Sequence, residues 1–231
     1  MRQNPRVGCY YLSGSVFLIL LAYWLRPLGW ILLWPALSTS LITLGYWGIG
    51  PIVYAKKNGR HGLLARGLHY FTRLGQDYSR RAYAKQCRPL DQLISNLYIG
   101  RQLTEDDVES CLPSDVVAVV DLTAEFTEPA ALLALNYKNI ALLDLTAPSN
   151  QHILNIVQFI DRQREQGSVY IHCKVGYSRT AAIAGCYLIH SGHAKNAQDA
   201  MELLRKVRPT IVIRPEAEQA IRSFASRCRQ S

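Results

Sequence analysis

The sequence predicts an α/β domain with a central, mainly parallel sheet flanked by helices, preceded by an N-terminal hairpin of two transmembrane helices. Three observations carry that expectation. Two long uncharged runs, residues 7–25 and 27–55, are separated only by Arg26. Beyond them, apolar runs of strand length alternate with segments of helical spacing, the order that builds parallel sheets. The last of these strands runs into a loop and a buried helix at 169–180, VYIHCKVGYSRT, where a thiol and a guanidinium face one small volume.

The uncharged runs hold 19 and 29 residues, and a membrane-crossing helix needs about 20. Tyr23, Trp24, Trp30, Trp34, Tyr46, Trp47 and Tyr54 lie mostly toward the run ends, as interfacial aromatic belts do. Neither run has a polar face, which argues against two core helices of a soluble domain. Arg2 and Arg6 precede the first run as in a signal peptide, but no small-residue cleavage site follows and a second apolar run does. Pro35 and several glycines disfavour a single straight second helix.

Charge divides the chain at the same place. Residues 1–88 carry twelve Lys and Arg against one acid, Asp77, for a net +11; the remaining 143 carry fourteen against sixteen, for a net −2. The overall +9 therefore belongs to the membrane-proximal part. A nucleic-acid-binding domain would bear its charge on its own folded face, so that partner is not expected. The positive-inside rule accounts for the same residues, with both hairpin ends and the α/β domain cytoplasmic and a short outer turn near Arg26. Within 60–85, leucines and aromatics interleave with arginines, which suits either an interfacial helix on an anionic membrane surface or a solvated linker. The expected organisation is a hairpin at 1–55, a basic juxtamembrane segment at 56–89 and the α/β domain at 90–231.

Inside that domain, a first strand is expected at 93–99 and a short helix at 104–111, opened by Thr104 and the acids behind it. Residues 116–122 and 137–143 read as strands buried on both faces. A short helix fits 129–135. Ile153, Ile156, Val157 and Ile160 place a helix over 150–166, stopped by Gly167. After the 169 strand come three helices, the last opened by Pro215. Ligands of such sheets bind at the carboxyl ends of the strands, where Asp121, Asp144 and Cys173 all fall. The six cysteines form no C-x-x-C pair, which suits a reducing compartment rather than a disulfide framework or a zinc site. His190 and His193 lack a third ligand nearby, so neither metal nor organic cofactor is expected.

The loop itself carries the chemistry. Cys173 and Arg179 stand six positions apart across a strand-to-helix turn. Between them Lys174, Val175, Gly176, Tyr177 and Ser178 can wrap backbone N–H groups around an anion, with Gly176 supplying the freedom such a turn needs. The following helix points its positive end into the loop. That field and a nearby cation lower a thiol's pKa from about 8.5 and make the sulfur a nucleophile. Arg179 suits a phosphate better than lysine would, because its planar fork holds two oxygens. Thr180 can add a hydroxyl near the sulfur.

The pattern H-C-x-x-G-x-x-R-[ST] at 172–180 resembles the phosphate-binding loop of the cysteine-dependent phosphatases, and residues 90–224 resemble their dual-specificity branch. The stretches DLTAEFTEP and LLDLTAPSN resemble bacterial members attached to membrane segments. The resemblance implies that Cys173 is the nucleophile, Arg179 the phosphate clamp, Asp144, 29 residues earlier, the general acid, Thr180 the hydroxyl that helps the sulfur leave, and His172 an orienting residue. It favours Asp144 over Asp121, since the loop at 145–150 can carry Asp144 over the pocket. It also implies an inner-membrane location.

Lys174 resembles the lysine of lipid-directed members, so a phospholipid monoester is the expected substrate, with phosphotyrosine, phosphoserine or phosphothreonine of proteins as the other class. A rhodanese-like sulfurtransferase would use a similar loop without a general acid. A non-catalytic phosphate-binding adaptor would have lost Cys173, Arg179 or Asp144, and this chain retains all three.

Overall fold

The computed structural model describes residues 4–228. Helix α1 spans Pro5–Trp24, with Pro5 in its first turn, where the missing N–H costs no bond. Arg26 stacks on the Tyr23 ring at the turn, 4.4 Å from its centroid. A 3₁₀ turn at Leu28–Leu32 then leads into α2, Leu33–Leu44. Pro35 lies in the first turn of α2 and does not break it. The interruption comes instead at Gly48 and Gly50, whose φ values of 158° and 78° carry the chain through a π turn and a 3₁₀ turn to Tyr54.

The two helices pack on small side chains. Gly8, Ser15 and Ala22 recur every seven residues on α1 and are its buried positions, which lets the backbones approach closely. The Ser15 hydroxyl donates to the Ala36 carbonyl at 2.9 Å. Outward, Phe17, Leu20, Trp24, Leu28, Trp30 and Ile31 are exposed, so the hairpin shows apolar side chains on the surface where a soluble protein would show polar ones. Both helical runs, Pro5–Trp24 and Leu28–Tyr54, are long and apolar enough to cross a membrane.

The basic segment is folded and docked. A two-residue hairpin, β1 (Lys56–Lys57) with β2 (Arg60–His61), is followed by α3 (Leu63–Leu68) and the amphipathic α4 (Tyr70–Ala84). Trp34 donates to the Gly67 carbonyl at 3.0 Å, and buried His69 lies between Ser38, at 2.8 Å, and the Val53 carbonyl, at 2.9 Å. These bonds tie the segment to α2, so it is not a free linker.

The domain beyond is a five-stranded sheet ordered β3-β4-β7-β5-β6, antiparallel only at its first pair. In chain order it comprises β3 (Leu90–Ile94), β4 (Leu97–Arg101), α5 (Glu105–Cys111), β5 (Val116–Thr123), α6 (Ala130–Leu133), β6 (Asn136–Leu142), α7 (Asn150–Arg164), β7 (Ser168–Cys173), α8 (Ser178–His190), α9 (Ala197–Val207) and α10 (Pro215–Cys228). Thr104 caps α5 in a full capping box with Asp107.

Two expectations change. The single strand at 93–99 is a β-hairpin turning at Ser95 and Asn96, the latter at φ 57°, a conformation asparagine tolerates. The strand at 137–143 is not covered on both faces. It is the sheet edge, pairs only with β5 and is mostly half-buried, because an apolar run does not distinguish a central strand from an edge. The fully buried strand is β7, which delivers Cys173 to the carboxyl end of the sheet between Arg101 and the end of β5. A separate apolar cluster of Ile42, Tyr46, Tyr54, Ala124 and Leu143 seats the base of the hairpin on that same end.

Candidate active site

Cys173 is the last residue of β7 and α8 begins at Ser178, so the intervening turn is short and bent. Gly176 makes it fit, with φ 73° and no room for a Cβ against the Gly100 carbonyl and the Arg101 amide. The loop's own carbonyls are held from outside. The Gln102 amide donates to the Lys174 carbonyl at 3.3 Å, and buried Arg208 donates to the Val175 carbonyl at 3.2 Å. With those carbonyls tied back, the Val175 and Thr180 amides meet the Cys173 sulfur.

Cys173 is 3% exposed. Burial alone would push its thiol up, but the Arg179 guanidinium, the Thr180 hydroxyl and amide, and the Val175 amide outweigh it, and the pKa falls below the ordinary value. The Thr180 hydroxyl is buried with no other protein partner among the described residues.

Arg179 is 2% exposed and holds several acceptors at once. Its two terminal nitrogens donate to Glu125 at 2.7 and 3.0 Å, and one also reaches the Leu142 carbonyl at 3.0 Å. Burial disfavours its charge, yet Glu125, Asp144 and Cys173 together hold its pKa well above the usual value. Glu125 is itself oriented by the Ala124 amide at 3.0 Å. Asp144 is half exposed, with one oxygen 3.4 Å from Arg179.

Asp144, Cys173, Lys174, Val175, Tyr177, Ser178 and Arg179 line one pocket, joined by Ser79 and Tyr83 of α4. Lys174 donates to the Ser79 hydroxyl at 3.1 Å and lies over the Phe126 ring, and Tyr83 meets Tyr177 edge-on at 6.2 Å. Burial lowers the pKa of Lys174 despite the nearby Asp144 and Glu125.

His172 lies below the pocket and is fully buried. Its Nε2 is 3.3 Å from Glu128. Burial favours the neutral ring, but Glu128 and Asp121 outweigh it and raise the pKa to about 9. Asp121 is not at the pocket. It is fully buried, bonded to the Lys56 ammonium, to Tyr137 at 2.5 Å and to the Thr123 amide at 2.7 Å. Burial would raise its pKa, and Lys56 and His172 bring it down instead. Asp121, Glu128 and His172 form a set of metal-ligand type, with one candidate atom each within 4.8 Å of the others. The Lys56 ammonium already supplies Asp121 with a cation.

The sequence profile of the dual specificity phosphatase catalytic domain matches residues 97–227, more than half of the chain. The chain belongs to the dual specificity phosphatase family. Among the relatives of this family member is the phosphatidylglycerophosphate phosphatase PTPMT1 of Arabidopsis thaliana, 29% identical over 170 residues that cover 70% of this chain and 50% of that one. The Homo sapiens phosphatidylglycerophosphatase and protein-tyrosine phosphatase 1 is 31% identical over 136 residues, 54% of this chain and 64% of that one. The chain thus spans about half to two thirds of the length of these relatives. Solved structures share its fold: PTPMT1 in complex with PI(5)P superposes with a TM-score of 0.55 at 20% identity over 62% of this chain and all of that one. Tk-PTP in its active form gives 0.55 at 23% identity, over 60% and 97%.

Sequence reasoning missed Glu125, Ser79 and Tyr83 as parts of this site, and Lys56 as the partner of buried Asp121. Glu125 and Glu128 had a signal, two acids three apart directly after a strand whose carboxyl end faces the ligand. Lys56, Ser79 and Tyr83 had none, since they arrive from a segment read as a membrane-proximal charge run.

Proposed function

We propose that the protein is a membrane-anchored, cysteine-dependent phosphomonoester phosphatase whose substrate is a phospholipid monoester. The Cys173 thiolate attacks phosphorus, the ester P–O bond breaks, and Asp144 gives its proton to the departing alcohol, leaving a phosphocysteine. Asp144, now a base, takes a proton from water as its oxygen attacks the same phosphorus. The S–P bond breaks, inorganic phosphate leaves, and Thr180 donates to the returning thiolate. Arg179 and the amides of 174–179 hold the non-bridging oxygens throughout, while His172 orients the strand end beneath.

One observation carries the lipid reading: the pocket that contains Cys173 is walled by Ser79 and Tyr83, residues of α4, whose Thr72 shares a 2.9 Å hydrogen bond with Ser38 in an apolar run, Leu28–Tyr54, long enough to span a membrane. Substrate diffusing in the bilayer would meet this site at high local concentration. The relatives named for phosphatidylglycerophosphate, and the relative captured with PI(5)P, lend the same class. The basic juxtamembrane residues favour a cytoplasmic face with anionic lipids around it.

The test uses the full chain in vesicles. Phosphatidylglycerophosphate and a phosphoinositide, at matched surface density, are compared with soluble phosphotyrosine and phosphothreonine peptides. The lipid reading expects kcat/KM at least tenfold higher for a lipid. Preference for a peptide would make the protein a protein phosphatase, and no turnover of any ester that survives in wild type but not in Cys173→Ser would end the phosphatase reading.

A further inference from the structure

We infer that Asn4 and Tyr46, one at the domain end of each apolar helix, are positioning residues for the general acid, so that the membrane hairpin is part of the catalytic apparatus and not only an anchor. This rests on the role proposed above for Asp144.

The loop that carries Asp144 has little regular structure of its own. It begins after β6 ends at Leu142 and lasts until Ser149 caps α7. Leu145 sits at φ 55°, a region a leucine adopts only when its surroundings hold it. Within the loop, the Thr146 hydroxyl donates to the Leu143 carbonyl at 2.7 Å, and the Leu145 amide bonds the Asp144 carboxylate at 3.1 Å. The two successive carbonyls at Asp144 and Leu145 find their partners in the hairpin. Tyr46, just past α2, donates its hydroxyl to the Asp144 carbonyl at 2.9 Å across 98 positions of sequence. Asn4, at the start of α1, donates to the Leu145 carbonyl at 2.9 Å across 141 positions, and to Glu216 of α10 at 3.3 Å.

Both clamps are themselves fixed. Tyr46 is 4% exposed, stacks on Tyr11 of α1 with centroids 5.7 Å apart, and packs with Leu143 in the cluster at the hairpin base. The two peptide units that follow the Asp144 side chain are therefore pinned by residues of the two packed hairpin helices. A shift between those helices moves the acid relative to Cys173. Loosening this clamp should selectively weaken proton donation, since Cys173 and Arg179 are held by other elements.

The test measures leaving-group dependence in detergent-solubilised full chain, using p-nitrophenyl phosphate, which departs without help, and phenyl phosphate, which needs a proton. General acids contribute about 10²–10⁴-fold to such steps. Asn4→Ala/Tyr46→Phe removes both donors and keeps the ring packing. It should lose tenfold or more on phenyl phosphate and less than about threefold on p-nitrophenyl phosphate, flatten the alkaline limb of the pH profile, and leave iodoacetamide trapping of Cys173 unchanged. Adding Asp144→Asn to that variant should cost phenyl phosphate turnover less than Asp144→Asn costs in wild type. Equal loss on both esters, or no loss on either, while Asp144→Asn alone still discriminates between them, overturns the positioning role and leaves the acid in place. If Asp144→Asn alone does not discriminate, both assignments fall.

Discussion

Replacing Lys56 by methionine should destabilise the protein by far more than a surface substitution does, although Lys56 lies at the end of the apolar hairpin, ahead of the five-stranded sheet. Its ammonium and the Asp121 carboxylate are 1% and 0% exposed. The same ammonium donates to the Thr123 carbonyl and hydroxyl at 3.0 and 3.1 Å. Removing one partner of a buried pair costs about 3–5 kcal/mol, because the other charge stays in a medium that cannot solvate it. Asp121 would keep Tyr137 and the Thr123 amide and hydroxyl as donors, which places the loss toward the lower end. At about 2–4 °C per kcal/mol for a chain of this size, the melting temperature of the solubilised protein should fall by about 6–12 °C for a loss of about 3 kcal/mol. Differential scanning calorimetry measures it directly. Lys56→Met/Asp121→Asn removes both charges and should recover most of the loss. A fall within 2 °C for Lys56→Met, or a double variant no better than the single, would refute the buried pair.

Two further outcomes follow from the site. Glu125→Gln leaves Arg179 its carbonyl bonds but removes the charged pair that aims it, and turnover should fall about a hundredfold, the cost of misplacing a catalytic group by about 1 Å; with less negative charge beside Arg179, the Cys173 thiolate fraction, read by alkylation rate against pH, should not fall. His172 should show in stability: its pKa is raised from 6.5 to about 9 in the folded chain, so its contribution is fully present below pH 6.5 and is lost as pH rises through 9. Urea midpoints should decline over that window, and Glu128→Gln should remove the decline.

How much of this was readable beforehand depends on the distance over which each feature is encoded. The Cys173 loop was legible because all of its parts lie within nine residues and each residue type has a local physical reason to be there. The β5 strand was legible as an apolar run broken only by Asp121 near its end, and the helix at 150–166 through its four apolar positions, all of them buried. The edge position of β6 was not legible, because burial of one strand depends on where its neighbours fall. Glu125, Lys56, Ser79, Asn4 and Tyr46 meet their partners across 54, 65, 95, 141 and 98 positions, and no periodicity spans such gaps. Pro35 and several glycines were expected to disturb the second helix, and the glycines that act are Gly48 and Gly50. Only the glycines do so, since proline at a helix start gives up no bond.

The measurement that bears most directly on the whole account is the acidity of a single sulfur. The rate at which iodoacetamide modifies Cys173, followed at the level of its peptide against pH in the folded, solubilised chain, should reach half its maximum below the ordinary thiol value of about 8.5, and competing phosphate or vanadate should slow it. A midpoint at or above that value, with no protection by either anion, would contradict the thiolate on which every step proposed here depends.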